Sequence, residues 1–162
     1  QPQDAARETQ EIRFSVTAVM KIRLIMLGRT RRAEVRALVD DYLGRIRHYA
    51  EIETTELREA TESALRKLKL EPSATIVLLD AAGKQFASAE FARWLGDLRD
   101  RGTRELVFLC GDAAGFPESL RCSARQKLSL STLTMPHEFA RVVLAEQIYR
   151  AFAILAGHPY PK

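Results

Sequence analysis

The stretch Glu105 to Gly115, ELVFLCGDAAG, decides the fold class: an unbroken apolar run from Leu106 to Cys110 passes directly into a turn carrying Gly111 and Gly115. A short apolar run bounded by turn residues reads as a strand covered on both faces. Thr75 to Asp80, TIVLLD, has the same character and ends in a carboxylate, so its end is expected to face a crevice. Between the two, Ser88 can cap a helix whose Phe91, Trp94, Leu95 and Leu98 form a stripe that Gly102 ends. Strand, amphipathic helix and buried strand in that order make a βαβ unit, hence an α/β domain with a parallel sheet.

The alternation continues in both directions. Lys21 to Leu27 reads as a first strand, and Arg31 to His48 as a helix with Val35, Leu38, Val39, Tyr42, Leu43 and Ile46 on one face. Glu51 to Leu57 alternates like a half-exposed strand, and Thr61 to Leu70 is a short helix stopped before Pro72. Pro117 to Gln126 reads as helix, Lys127 to Leu133 as extended chain, and Glu138 to Ala156 as a long helix closed by Gly157. No repeat, low-complexity tract or linker interrupts the pattern.

The 162 residues suit one domain, expected over 20–162, with 46% hydrophobic and 28% charged residues. No apolar run reaches the roughly 20 residues of a membrane span. Two cysteines, Cys110 and Cys122, are too few for a disulfide scaffold, so a reducing cytoplasm is the expected compartment. Residues 1–19 differ: Gln1 to Gln10 is polar and aperiodic, Met20 is a plausible start, and no signal-peptide pattern occurs. They read as an upstream extension or expression remnant, although Glu11 to Val19 is compatible with a strand. The net charge of +4 is modest, but Arg29, Arg31, Arg32, Arg36, Arg45 and Arg47 crowd one short stretch, either a solvated helix face or an RNA contact.

Ligands of parallel sheets bind outside the carboxyl ends of the strands. The passages after Asp80, Cys110 and Leu133 are therefore the candidate site. The glycine turn matches no dinucleotide fingerprint, and no phosphate loop occurs. His48, His137 and His158 are far apart, with no HExxH, paired CxxC or GxSxG, which argues against a metal site and against acyl transfer. Cys110 reads as a core residue. Ser129 to His137, SLSTLTMPH, is dense in hydroxyls; Thr134 can cap the last helix with Pro136 in its first turn.

Leu130 to Tyr160, LSTLTMPHEFARVVLAEQIYRAFAILAGHPY, resembles the C-terminal signature of the RlmH family of SPOUT-class ribosomal RNA methyltransferases. Thr75 to Ser88 and Glu105 to Gly115 resemble the family in the same order, and the chain from Met20 to Lys162 has its length. The resemblance implies methyl transfer from S-adenosylmethionine to N3 of a pseudouridine in 23S ribosomal RNA of the assembled ribosome. It also implies a homodimer and a SPOUT-type parallel sheet flanked by helices with a C-terminal trefoil knot. Carried over by residue, Leu79, Gly111 and Leu130, Ser131, Thr132, Leu133, Thr134 and Met135 would surround the cofactor. His137 and Arg141 would lie near the methyl donor or the RNA backbone, with His158 and Tyr160 near the reacting base. Arg29, Arg31 and Arg32 would hold RNA, and Glu146 and Arg150 would pair. A related enzyme acting on transfer RNA and a catalytically silent RNA-binding relative are the alternatives. Two positions depart from the family pattern: Asp112 stands where a second glycine is usual, and Pro161 where the tail usually carries a histidine.

Overall fold

The computed structural model describes residues 19–160, so the expectations for residues 1–18 and for Pro161 lie outside the described residues. Five strands, β1 (Lys21–Leu27), β2 (Glu51–Leu57), β3 (Thr75–Gln85), β4 (Glu105–Cys110) and β5 (Gln126–Ser129), form one sheet in the order β2-β1-β4-β3-β5. Every pairing is parallel. Five helices, α1 (Ala33–Ile46), α2 (Glu62–Lys67), α3 (Ser88–Asp100), α4 (Glu118–Ser123) and α5 (His137–Leu155), cover its faces.

Handedness assigns the helices to faces. Successive connections step in opposite directions across the sheet, and the right-handed rule for parallel crossovers sends such alternating connections to opposite faces. Those moving one way, with α1 and α3, cover one face; those moving the other way, with α2 and α4, cover the opposite face. The core divides accordingly. Ile22, Leu24, Met26, Leu106 and Phe108 pack with α1, α3 and α5, whereas Ile25, Val107 and Leu109 pack with Leu120 of α4 and the half-buried Leu65 of α2. Alternate residues of one strand thus supply two cores, which is why β4 is buried at all six positions.

The structure differs from the sequence expectation at several element ends. Strand β3 does not stop at Asp80; it continues to Gln85 through an irregularity between Leu79 and Lys84, where β5 continues the pairing. Gly83 permits this, because a Cβ there would lie 2.6 Å from the Lys127 carbonyl carbon. Strand β5 ends at Ser129, not Leu133, since it pairs only with β3 and its chain then leaves the sheet edge. Helix α2 stops at Lys67 because Lys69 takes a left-handed φ of 48°. Ser88 does not cap α3: Ala87 holds the cap position, its N–H donating to Glu90 Oε2, while Ser88 Oγ donates to Gln147 Oε1 of α5 at 2.8 Å. Likewise Pro136, not Thr134, precedes α5, with no side-chain cap. Leu38, expected on the buried stripe of α1, is 49% exposed, because α5 covers only the side marked by Val35, Val39, Leu43 and Ile46.

Candidate functional site

The carboxyl ends of β3, β4 and β5 open onto a cavity of about 340 Å³, on the face covered by α5. Leu79 and Asp80 contribute from β3, Cys110, Gly111 and Asp112 from the end of β4, and Leu128 from β5. The passage from β5 to α5 adds Leu130, Ser131, Leu133, Thr134 and Met135, and the first turns of α5 add His137, Ala140 and Arg141. Three strand ends that the sequence separates by tens of residues thus meet at one crevice.

Local geometry explains the residue choices. Gly111 has φ +146° and a Cβ there would sit 2.7 Å from Leu27 Cβ, so only glycine lets β4 turn away beside β1. Asp112 is accommodated without a left-handed backbone. Its Oδ1 accepts from Ala114 N–H at 3.0 Å and its carbonyl from Gly115 N–H at 2.9 Å, closing the turn that a second glycine would otherwise leave loose. The departure at Asp112 therefore stabilises the turn and brings a carboxylate to the cavity wall. Cys110 is buried, and burial pushes its thiol up to about 12 against a lesser pull from the Arg141 charge, which leaves it a core residue and no nucleophile.

The passage after β5 has the character of a binding wall. From Ser131 to Met135, the main-chain N–H of Leu133, donating to Ser131 Oγ at 3.0 Å, is the one N–H with a partner among the described residues. Leu133 itself is 77% exposed, the most exposed large apolar side chain among the described residues. A cavity lined both by residues with unpaired main-chain donors, among the described residues, and by the apolar Leu79, Leu130 and Met135 suits a flat, partly polar ligand with apolar faces.

Arg141 is 3% exposed and its two terminal guanidinium nitrogens make three hydrogen bonds. Nη1 donates to Thr30 Oγ1 at 2.8 Å, and Nη2 to the Leu27 and Gly28 carbonyls at 2.8 and 2.9 Å. It therefore lines the cavity and also anchors the β1–α1 loop. Thr30 is held again by Glu56, whose Oε1 accepts from Thr30 N–H at 3.1 Å. Burial raises the Glu56 carboxyl, but the Thr30 hydrogen bonds and the Arg36 and Arg141 charges outweigh it and lower the pKa. Arg29, Arg31 and Arg32 stand exposed on this loop, and Arg29, Arg31 and Arg36 line an open groove.

Of the residues expected at the site, Thr132, His158 and Tyr160 do not line the cavity. His158 Nδ1 is 2.5 Å from Tyr49 Oη, and the Tyr160 ring meets Tyr149 edge-on at 4.9 Å beneath the Arg150 guanidinium. The tail thus packs on the aromatic side of α1 and α5, where burial, then a Tyr42 hydrogen bond and the Glu146 charge, raise the Tyr160 phenol well above its ordinary value. Arg150 and Glu146 form the expected pair at 2.6 Å, partly buried. Thr30, Glu56 and Glu138 were not singled out from the sequence; only the arginines around Thr30 mark the loop. Among the described residues no helix is long and apolar enough to cross a membrane, and no three acidic, histidine or cysteine side chains converge as metal ligands.

The chain is 43% identical to a Koribacter versatilis protein named ribosomal RNA large subunit methyltransferase H, over 87% of this chain and 97% of that one. It is 42% identical to a Geotalea daltonii protein of the same name, over 87% and 99%. A Legionella pneumophila methyltransferase solved with bound SAM is far more distant, at 12% identity and a TM-score of 0.41 over 80% of this chain and 66% of that one. A family model described as "Predicted SPOUT methyltransferase" matches residues 20–161, and with relatives this similar along nearly their whole length the chain belongs to the SPOUT methyltransferase family.

Proposed function

We propose that this protein transfers a methyl group from S-adenosylmethionine to N3 of a pseudouridine in 23S ribosomal RNA, acting on the ribosome. The relatives' shared name supports the substrate class. The observation that carries the reading is the cavity wall after β5, where Ser131, Thr134 and Met135, whose main-chain N–H groups have no partner among the described residues, line the cavity together with Leu79 and Leu130. That combination fits the adenine edge and ribose of the cofactor, with Gly111, Ser131, Leu133 and Thr134 completing the enclosure. The proposal includes a trefoil knot formed by the C-terminal segment, a homodimer and a cytoplasmic setting.

The cofactor supplies a methyl group already activated on a sulfonium. The chain's own residues have two tasks: to align the base with that carbon and to let the N3 proton leave. Leu79, Leu130 and Met135 exclude water from one side, while Asp80 and Asp112 place negative charge at the cavity wall. His137 and Arg141 border the same space, and solvent carries the proton away past His137. His158 and Tyr160 lie outside their own chain's cavity, so in the proposed dimer they serve the partner's site. Mixed dimers of a cofactor-wall variant and a tail variant should regain partial activity; no recovery excludes this sharing.

Labelled donor incubated with ribosomes and, separately, with free transfer RNA, followed by mapping of the modified base, tests the function. Methylated pseudouridine in 23S RNA is expected. Label only in transfer RNA assigns the other substrate, and no calorimetric binding of S-adenosylmethionine makes the protein a silent RNA binder.

A further inference from the structure

Helix α1 begins without a side-chain cap of its own: Arg32 occupies the cap position and makes no such hydrogen bond. The acceptor comes instead from across the fold. Glu138 Oε1, in the first turn of α5, accepts from Arg31 N–H at 2.6 Å and from Arg32 N–H at 3.0 Å. These amides, the Arg32 one foremost, hold the Glu138 carboxyl below its ordinary pKa, so it is ionised near neutrality. The next residue, Phe139, receives the Arg32 guanidinium over its ring at 5.5 Å. One turn on, Arg141 holds the Leu27 and Gly28 carbonyls. The arginine loop is therefore fastened to the same turn of α5 that borders the cofactor cavity.

We propose that Glu138 is a positioning residue for RNA: its carboxylate fixes the Arg31 and Arg32 main chain so that both guanidinium groups are set for phosphate. This rests on the ribosomal RNA reading above. Electrostatics alone makes the opposite forecast, since a carboxylate beside RNA-binding arginines repels the polyanion and its removal should tighten binding. An acid is useful at this place only if the order it imposes on the loop outweighs that repulsion.

Ribosome methylation kinetics of Glu138→Ala, Glu138→Gln and Glu34→Gln test it, Glu34 being an exposed acid of the first turn of α1. Glu138→Ala should raise KM for ribosomes about tenfold, the equivalent of ~1.4 kcal/mol. Its kcat and its calorimetric affinity for S-adenosylmethionine should stay near wild type. Glu138→Gln keeps an acceptor oxygen and should recover much of the loss, and Glu34→Gln, which removes a charge but no loop contact, should not raise KM. Hydrogen exchange at the Arg31 and Arg32 amides should quicken in Glu138→Ala. An unchanged or lowered KM in Glu138→Ala, an equal rise in Glu34→Gln, cofactor affinity falling in step with KM, or unchanged amide exchange would each overturn the proposal. If wild-type protein binds ribosomes without methylating them, the function reading fails; ribosome binding by the same variants, with the amide exchange, then decides the role of Glu138.

Discussion

Replacing Arg141 by lysine keeps the charge at the cavity and removes the fork. The guanidinium reaches three acceptors on one loop, Thr30 Oγ1, Leu27 O and Gly28 O, all within 2.9 Å, from two nitrogens. A lysine ammonium is a single nitrogen on a shorter reach and cannot span all three. At a site 3% exposed, the acceptors left behind have little water to turn to. With one or two charge-assisted hydrogen bonds lost, the cost is about 2–4 kcal/mol. For a chain of this size that lowers Tm by roughly 5–15 °C. Thermal and urea unfolding of wild type, Arg141→Lys and Arg141→Met measure it. Lysine should recover little of what methionine loses, because geometry, not charge, holds the loop. A lysine variant within about 2 °C of wild type refutes the reasoning and makes Arg141 a point charge toward ligand or RNA.

Gly111→Ala forces a side chain onto φ +146° and against Leu27 Cβ at 2.7 Å, so its urea midpoint should fall by the equivalent of about 1–3 kcal/mol. Glu105→Ala strands the buried Arg23 guanidinium, which Glu105 meets at 3.1 Å, and leaves Glu71 N–H without its acceptor. Because Glu53 still contacts Arg23 at 3.0 Å, the loss should sit near the lower end for a broken buried pair, about 3 kcal/mol, with cofactor affinity of the folded protein unchanged at this opposite end of the sheet. Cys122 is exposed and Cys110 is not, so alkylation near pH 8.5 read by mass spectrometry should label Cys122 alone until the protein unfolds. With the Cys110 thiol raised from 9.0 to about 12 by burial, the folded state holds its proton more tightly, and stability should decline as pH rises above about 9; Cys110→Ala should flatten that decline.

The local sequence was most legible where both faces of an element are covered. Leu106 to Cys110 needs no partner to be read as a strand, since an apolar run of that length between turn residues has few other uses. The stripes Val35, Val39, Leu43 and Phe91, Leu95, Leu98 likewise name the buried sides of α1 and α3. Element ends were less legible. Ser88 looks like a cap, yet its hydroxyl is drawn to Gln147, 59 residues away, and β3 overruns Asp80 because β5 offers a second pairing. Hydrogen-bond capacity is visible in a sequence; the partner that takes it up is not.

By itself, then, the sequence determined the alternation of covered strands and amphipathic helices, the glycine at position 111, and through a long ordered likeness from Leu130 to Tyr160 the family. Those follow from short-range sterics, periodicity and motif. Only the tertiary structure decided that Asp112 closes its own turn, that Arg141 is spent on the β1–α1 loop, that Glu138 caps a helix more than 100 residues away, and that His158 and Tyr160 lie outside their own cavity. The physical reason is common to all four. A charged or polar side chain settles where its desolvation is offset by donors or acceptors, and in a parallel sheet those are gathered from strand ends far apart in the chain.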